Sequence, residues 1–289
     1  MRHVYDCPVR WADLDLLGHV NNVTYVDYLQ EARIDMLLTH APDTRAIDLA
    51  EGVVVVRHEV RFVAPLTFRL HPVKIECWVT EVRAATFTMA YEVYDEAPDG
   101  SRTVYLQAKT LLTPYVFAEE RPRRITPDEK ASLQRFLGED PLPTVRERSE
   151  PKHLVGGHYP LHVRFSDVDI YGHVNNVKYF EYFQDARIVY LLHVWGEVDR
   201  GREVPLVIAQ MDVDYRVPIL FRPEPYDVHS WVSAVGNSSF VIESEIRDGD
   251  TLLSRARVVA VTFDAEAQRA APAPAHYREL LALELTRTS

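Results

Sequence analysis

The chain has 289 residues, of which 47% are hydrophobic and 26% charged, and its formal net charge is −11. This length allows two domains that each bury a core. The acidic balance argues against nucleic acid or an anionic membrane as a general partner, since both need a basic face. Two cysteines, Cys7 and Cys77, form no disulfide framework. No apolar segment has the length of a membrane span or the form of a signal peptide, so we expect a cytoplasmic protein.

The first half of the chain predicts one strand, one long helix and then four strands. A broad apolar stripe at helical spacing predicts a helix over residues 22–38, with Asn22 as the N-cap because its side-chain oxygen can accept a first-turn amide. Valine-rich and alternating segments predict strands at residues 2–10, 53–63, 73–82, 86–94 and 102–115. Short connections, including the hairpin signal Asp99-Gly100, make the last four strands an antiparallel set.

The second half repeats this order after a proline-containing connection. Thr126, Pro127 and Glu129 predict the start of a short helix that ends near Gly138. The prolines and mixed charges of residues 139–160 indicate a linker between a domain at 1–138 and a domain at 161–289. The second domain is predicted to contain a strand at 157–165, a helix at 176–193, strands at 204–216, 226–235, 239–247 and 251–264, and a C-terminal helix at 274–285.

One stretch occurs twice, at a constant offset of 154 residues. Residues 9–34 read VRWADLDLLGHVNNVTYVDYLQEARI and residues 163–188 read VRFSDVDIYGHVNNVKYFEYFQDARI, with 16 of 26 positions identical. A duplicated fold needs only matching apolar patterns. The identical polar positions therefore indicate a chemical role, and they include Asp13/Asp167, Asp15/Asp169, His19/His173, Asn22/Asn176, Tyr25/Tyr179, Tyr28/Tyr182 and Arg33/Arg187.

The motif DxDxxGHVNN, followed on the helix by YxxYxQxAR, resembles the hotdog-fold acyl thioesterases, in particular the 4-hydroxybenzoyl-CoA and acyl-ACP thioesterase branches. The resemblance covers both halves of the chain. It implies an α+β fold of two hotdog domains in tandem, each a long central helix wrapped by an antiparallel sheet. It also implies that the domains pair within the chain as a pseudo-dimer with two candidate sites. The implied activity is hydrolysis of an acyl thioester.

The resemblance assigns catalytic roles to four residues of the motif. Asp15 and Asp169 match the family's catalytic carboxylate, as general base or as nucleophile. His19 and His173 match the histidine that serves as catalytic partner in the acyl-ACP branch. The helix N-terminus offers unpaired amides near residues 20–22 and 174–176, and the positive end of a dipole, to polarise the thioester carbonyl. The predicted substrate-binding residues are Val20, Asn22, Tyr25, Val174, Asn176 and Tyr179.

The chain departs from the acyl-ACP branch at one position of the motif. That branch has an asparagine two residues after the catalytic aspartate, where this chain has Leu17 and Tyr171. The branch's downstream acidic residue has no clear match, although Glu59, Asp212 and Asp214 are alternatives on the next strand. We therefore expect an acyl-CoA substrate, with an acyl-ACP thioesterase or a non-catalytic acyl-thioester-binding protein as alternatives. A hotdog dehydratase or hydratase would carry other loop patterns, which are not found.

Other identical residues have structural interpretations. We expect Asp13 and Asp167 to cap their loops or to pair with Arg10 and Arg164, and Arg33 and Arg187 to anchor the helix to the loop by an ion pair. The twelve histidines show no metal-ligand spacing such as HExxH, so no metal or other cofactor is expected. The acyl group, the number of working sites and the pairing of whole chains into a homodimer stay open.

Overall fold

The computed structural model describes residues 1–40, 52–142, 148–196, 206–264 and 269–287. The chain divides into two units, Met1–Val145 and Arg146–Ser289, here called domain 1 and domain 2. The predicted linker at 139–160 therefore includes residues that pack within domain 2: Trp231 Nε1 donates to Ser149 Oγ at 3.0 Å, and Leu154 is buried. Across the described ranges, every helix is too short or too polar to cross a membrane.

Domain 1 contains the predicted strand, long helix and four strands in that order. Helix α1 is Thr24–Thr39, and the strands are β1 His3–Cys7, β2 Val53–Phe62, β3 Val73–Val82, β4 Phe87–Glu96 and β5 Arg102–Val116. The strands are antiparallel in the order β1-β3-β4-β5-β2. A short strand, β6 Arg121–Pro122, pairs with β5, and helix α2, Pro127–Gln134, begins at the predicted capping box of Thr126 and Glu129.

Domain 2 repeats this arrangement. Its helices are α3 Lys178–Trp195 and α4 Ala275–Thr286, and its strands are β7 His158–Leu161, β8 Leu206–Tyr215, β9 Tyr226–Val235, β10 Ser239–Asp248, β11 Thr251–Asp264 and β12 Arg269–Ala270. The strands are antiparallel in the order β7-β9-β10-β11-β8, and β12 pairs with β11. The predicted combination of a long helix and an antiparallel sheet is confirmed in both domains.

The long helix of each domain is buried over much of its surface by that domain's own sheet. Val26, Leu29 and Ala32 of α1 have no exposed surface. In domain 2, residues of α3 form a cluster with the sheet and with α4 that contains Tyr190, Leu191, Val194, Val232, Phe240, Ile242, Ala260 and Leu281. Burial of each large apolar side chain contributes about 1.5–3 kcal/mol to the stability of the fold. The long helices are therefore stably packed and fix the position of the loops that precede them.

The predicted N-cap of the long helix is wrong. The N-cap of α1 is Val23 rather than Asn22, and its side chain makes no capping hydrogen bond. Instead Asn21 Oδ1 accepts the Val23 N–H at 3.3 Å, and Asn175 Oδ1 accepts the Val177 N–H at 3.2 Å. The first of the two adjacent asparagines therefore caps, because the loop places it opposite the first free amides of the helix.

The predicted ion pair between the long helix and the loop is also wrong. Arg33 and Arg187 are both 5% exposed, and within the described ranges neither forms an ion pair. Nη1 of each is buried without a hydrogen-bond partner among the described residues. Burial lowers the pKa of Arg187 to about 10. Each domain thus contains a buried guanidinium that forms no direct ion pair among the described residues, although the charge of Asp185 acts on Arg187 from a greater distance.

Candidate active site

The loop between β1 and α1 is closed on itself by backbone hydrogen bonds. In domain 1 the Asn21 N–H donates to Asp13 O and the Asp15 N–H donates to His19 O, both at 2.8 Å. Gly18 has φ +75°, in the left-handed region that favours glycine, and this residue turns the chain between Asp15 and His19. The loop of domain 2 has the same bonds and the same turn, with Gly172 at φ +81°. The repeated sequence therefore specifies a repeated loop geometry.

Asp15 is held by the turn through one carboxylate oxygen. Its Oδ1 accepts the N–H of Leu17 at 2.8 Å and the N–H of His19 at 3.3 Å. Asp169 Oδ1 accepts the N–H of Tyr171 at 2.9 Å in the same way. Within the described ranges Oδ2 of both aspartates makes no hydrogen bond. Each aspartate is thus fixed in orientation and keeps one oxygen for chemistry, so its role in the turn and a catalytic role are compatible.

The preceding aspartate ties the loop to the long helix. Asp13 is buried and accepts the Tyr28 hydroxyl at 2.5 Å and the Arg10 guanidinium at 2.8 Å. Burial acts to raise the pKa of Asp13, but the hydrogen bonds from Arg10 and Tyr28 outweigh it and lower that pKa below its ordinary value. The predicted structural role of Asp13 is confirmed.

Domain 2 keeps this anchor with one difference. The Tyr182 hydroxyl donates to Asp167 at 2.7 Å, and Arg164 contributes its backbone N–H at 3.0 Å. Within the described ranges the Arg164 guanidinium makes no hydrogen bond or ion pair with Asp167. Asp167 therefore depends more heavily on its tyrosine than Asp13 does.

The segment between the second and third strands of each domain supports the loop from the other side. Val20 donates its N–H to Leu66 O at 2.8 Å, and the backbone amide of Leu66 acts on the Tyr25 hydroxyl to lower its pKa. In domain 2 the Ile219 N–H donates to the Tyr179 hydroxyl at 3.1 Å. Burial raises the pKa of both tyrosines. Tyr25 and Tyr179 thus lie in the core as braces, and their contact with a substrate stays a prediction.

These bonds correct the expectation of unpaired amides at residues 20–22 and 174–176. Val20 and Asn21 both donate to carbonyl oxygens, of Leu66 and Asp13, and Val174 and Asn175 do the same in domain 2. Within the described part of domain 1, the Asn22 N–H donates no hydrogen bond. Asn22 is therefore the residue of this stretch whose amide is still available beside the positive end of the helix dipole.

The remaining predicted site residues differ in their surroundings. His19 is half-buried, and its imidazole makes no hydrogen bond within the described ranges, whereas His173 has further contacts. The alternative downstream acids are all engaged by neighbouring side chains: Glu59 by Lys109, Asp212 by Gln210 and Asp214 by Arg148. Among the described residues, no group of three or more His, Cys, Asp or Glu side chains is arranged to hold a metal ion.

Sequence reasoning missed an exposed aromatic pair beside each loop. Trp11 packs edge to face on Phe68 with ring centroids 5.3 Å apart, and Phe165 packs on Phe221 at 5.6 Å. Trp11 and Phe165 are 74% and 78% exposed. Both pairs join the candidate loop to the segment that braces it. Matching aromatics at 11/165 and 68/221 were a signal, but their contact depends on how two distant segments fold together.

Comparison with known proteins agrees with the geometry. The profile of the Thioesterase-like superfamily matches residues 9–134 and 163–281. A Bacillus subtilis protein, the uncharacterized protein YsmA, is 32% identical over 113 residues, which is 37% of this chain and 73% of that protein.

Two solved structures resemble the whole chain. One, named as an oleoyl thioesterase of Lactobacillus plantarum, has a TM-score of 0.71 at 16% identity, covering 91% of this chain and 96% of its own. The other, the 12:0-ACP thioesterase of Umbellularia californica, has a TM-score of 0.68 at 16% identity, covering 91% and 94%. At this identity they show the fold, which is the tandem hotdog fold. The profile match covers most of the chain in two segments, and the chain belongs to the Thioesterase-like superfamily.

Proposed function

We propose that the protein is an acyl-CoA thioesterase, which hydrolyses an acyl-CoA to a free acid and CoA. The catalytic carboxylate is the motif aspartate, for which the two copies offer Asp15 and Asp169 as candidates. The observation that carries this proposal is the state of the two carboxylates. Each has Oδ1 fixed by the turn and Oδ2 without a hydrogen bond in the described ranges. A positioned carboxylate with one unused oxygen is what a general base or a nucleophile requires.

As a general base, the aspartate takes a proton from water through Oδ2 while the water oxygen adds to the thioester carbonyl carbon. The carbon–sulfur bond then breaks, and the proton passes to the departing thiolate, which gives the acid and the thiol. As a nucleophile, the aspartate would itself displace the thiolate, and water would hydrolyse the resulting anhydride. In both routes negative charge develops on the carbonyl oxygen. His19 and His173 are the proposed partners for proton transfer.

The helix N-terminus is the proposed stabiliser of that oxygen. In domain 1 the Asn22 N–H has no hydrogen-bond acceptor in the described ranges and lies at the positive end of α1. Removing one such donor in other enzymes lowers kcat by about 10²–10³-fold. Val20, Tyr25, Val174 and Tyr179 are proposed to act behind the site, where they hold the loop against the segment after the second strand of each domain.

The charge of the chain favours acyl-CoA over an acyl carrier protein. The formal net charge is −11 and the isoelectric point is about 5.5. Carrier proteins are themselves acidic, so two negatively charged proteins would repel each other during association. CoA is also anionic, but it is small and needs only a local group of basic side chains.

The test is thiol release from a panel of short, long and aromatic acyl-CoAs, and from matched acyl-ACPs. We expect turnover of acyl-CoA that falls by about 10²–10⁴-fold in the double variant Asp15→Asn, Asp169→Asn. The charge-matched control is Asp99→Asn, Asp250→Asn, because both residues are exposed at hairpin turns and lie outside the motif loop. If only the acyl-ACPs were hydrolysed, the proposed acyl-CoA substrate would be wrong and the protein would be an acyl-ACP thioesterase. Turnover that survives in the double variant would refute the carboxylate role.

A further inference from the structure

In domain 2 the second asparagine of the motif is held at two points. Asn176 Nδ2 donates to Asn175 Oδ1 at 3.1 Å. Its backbone carbonyl accepts the Tyr215 hydroxyl at 2.9 Å. Tyr215 in turn packs on Tyr179 with ring centroids 4.8 Å apart. Both the side chain and the backbone of Asn176 are therefore engaged within the domain.

In domain 1 the matching asparagine is not held in this way. Asn22 Nδ2 is buried and has no hydrogen-bond partner among the described residues. The position of Tyr215 is occupied by Phe62, which packs on Tyr25 at 5.8 Å but has no hydroxyl to donate. The difference at 62/215 is a difference of sequence, and it removes one of the two restraints.

The tip of the turn also has fewer contacts in domain 1 than in domain 2. Leu17, at the tip of the domain 1 turn, is 50% exposed. Tyr171 takes its place in domain 2, where it is partly buried and has further contacts. Tyr171 and Asn176 of domain 2 thus make side-chain contacts that Leu17 and Asn22 of domain 1 lack among the described residues.

The energetic consequence concerns what each asparagine must give up to bind a substrate. A buried amide without a partner costs about 1–3 kcal/mol, so it gains by meeting a new acceptor. Turning the Asn22 side chain toward a carbonyl oxygen breaks no hydrogen bond. Turning that of Asn176 breaks its bond to Asn175. A donor stabilises a developing oxyanion best when it does not already donate a hydrogen bond to another acceptor.

We propose that domain 1 contains the working site, that the Asn22 side chain is a further donor to the thioester carbonyl oxygen, and that the matching site of domain 2 is inactive. This inference rests on the proposed thioesterase function. It assigns catalysis to Asp15, and it assigns to Asp169 the role of closing its own turn.

The duplication supplies a matched control for every variant. With octanoyl-CoA as substrate, we expect Asp15→Asn to lower kcat by about 10²–10⁴-fold. We expect Asp169→Asn to stay within about twofold of wild type, since general-base catalysis would not pass through it. Asn22→Ala should lower kcat by about 10²-fold with little change in KM, whereas Asn176→Ala should leave both unchanged. Thermal unfolding of each variant reports whether the fold is intact.

A second variant covers the case in which Asn22→Ala fails to fold. Phe62→Tyr introduces at the Tyr25 ring the hydroxyl that domain 2 already carries, so it should lower kcat while the chain stays folded. The inference is overturned if Asp169→Asn is as damaging as Asp15→Asn, or if Asn22→Ala and Asn176→Ala have equal effects.

A binding measurement tests the difference between the two sites without requiring that the protein hydrolyses a thioester. The probe is the ketone analogue of octanoyl-CoA, in which a methylene separates sulfur from carbonyl, measured by calorimetry. We expect one molecule bound per chain, with affinity weakened by Asn22→Ala and not by Asn176→Ala. Two equal sites per chain would overturn the inference even if the wild type hydrolyses no thioester. Hydrolysis that requires Asp169 and not Asp15 would overturn it while the thioesterase function stands.

Discussion

Domain 1 and domain 2 share a loop bond for bond, yet brace it with different side chains. In both, the aspartate turn, the glycine and the tyrosine–aspartate anchor recur with distances that differ by 0.2 Å or less at the anchor, 2.5 Å against 2.7 Å. The surroundings diverge: Arg10 clamps Asp13 through its side chain, whereas Arg164 offers Asp167 a backbone amide. The two copies therefore share the hydrogen bonds within the loop more closely than the side-chain contacts that fix the loop to its domain.

The matching strands β3 and β9, which pair with β1 and β7, show the same divergence. On β3 of domain 1, Glu76 is paired with Arg2 at 2.5 Å and with Arg102 at 3.1 Å. The matching position on β9 is His229, whose ring stacks on His153 with centroids 4.3 Å apart. Position 76 thus lies among arginine–carboxylate ion pairs and position 229 among histidine rings, so these two matching positions should respond differently to pH.

The largest effect that tests this comparison concerns the tyrosine anchor. A hydrogen bond to a charged group contributes about 1.5–3 kcal/mol. After Tyr28→Phe, Asp13 keeps the Arg10 guanidinium, whereas after Tyr182→Phe, Asp167 keeps only a backbone amide among the described contacts. We therefore expect Tyr182→Phe to lower the free energy of unfolding by about 2–3 kcal/mol and Tyr28→Phe by about 1–2 kcal/mol.

Urea unfolding measures both losses, with Trp11 and Trp78 reporting on domain 1 and Trp195 and Trp231 on domain 2. Equal losses in the two variants would show that the Arg10 clamp does not compensate for the missing hydroxyl.

A gain of stability is expected at the buried arginines. A buried charge without a counter-ion is costly, and replacing buried ionic groups by apolar ones of similar size is often stabilising by about 1–4 kcal/mol. Burial lowers the pKa of Arg187, and the charge of Asp185 opposes this shift only in part. The position of Arg33 is equally buried. Arg187→Met should therefore raise the free energy of unfolding by about 1–2 kcal/mol, and Arg33→Met should raise it by a similar amount. Chemical denaturation of both variants measures this, and a loss of stability at Arg187→Met would reveal a partner that the guanidinium needs.

The smallest effect is the pH dependence of the domain 2 edge. Burial, and then His153 and His158, lower the pKa of His229, while Asp227 and Glu245 act in the opposite direction. Glu245 itself is paired with Arg247.

Because the folded protein binds this proton less readily than the unfolded chain, the His229 contribution is full above the ordinary histidine pKa of about 6.5 and is lost as pH falls below it. Glu76 in domain 1 has a lowered pKa, so its contribution is lost only below the ordinary range of glutamate, about 4.3.

The measurement compares unfolding at about pH 7.5 and about pH 5.5, one unit on either side of the ordinary histidine pKa. His229→Gln should reduce the acid-induced loss reported by Trp231. His40→Gln is the matched variant for domain 1, because burial also lowers the pKa of His40. If His229→Gln loses as much unfolding free energy on acidification as the wild type does, His229 is not the group responsible for the pH dependence of domain 2.

The amino-acid sequence by itself determined the order of elements, the division of the chain into two similar domains, and the loop that contains Asp15. These follow from local signals: helical and alternating apolar spacing, the Asp-Gly hairpins, and a glycine where the turn requires positive φ. The turn of Asp15 involves residues only two to four positions apart, so its geometry travels with the motif.

The tertiary structure decided which groups of the motif remain available for chemistry. The Val20 amide is consumed by Leu66, and the Asn176 carbonyl by Tyr215, both from segments some forty residues away. Arg33 and Arg187 look like ordinary helix arginines until the sheet covers them. Hydrogen bonds and burial of this kind depend on distant segments meeting in space, and no local pattern reports which amide, carbonyl or guanidinium they will use.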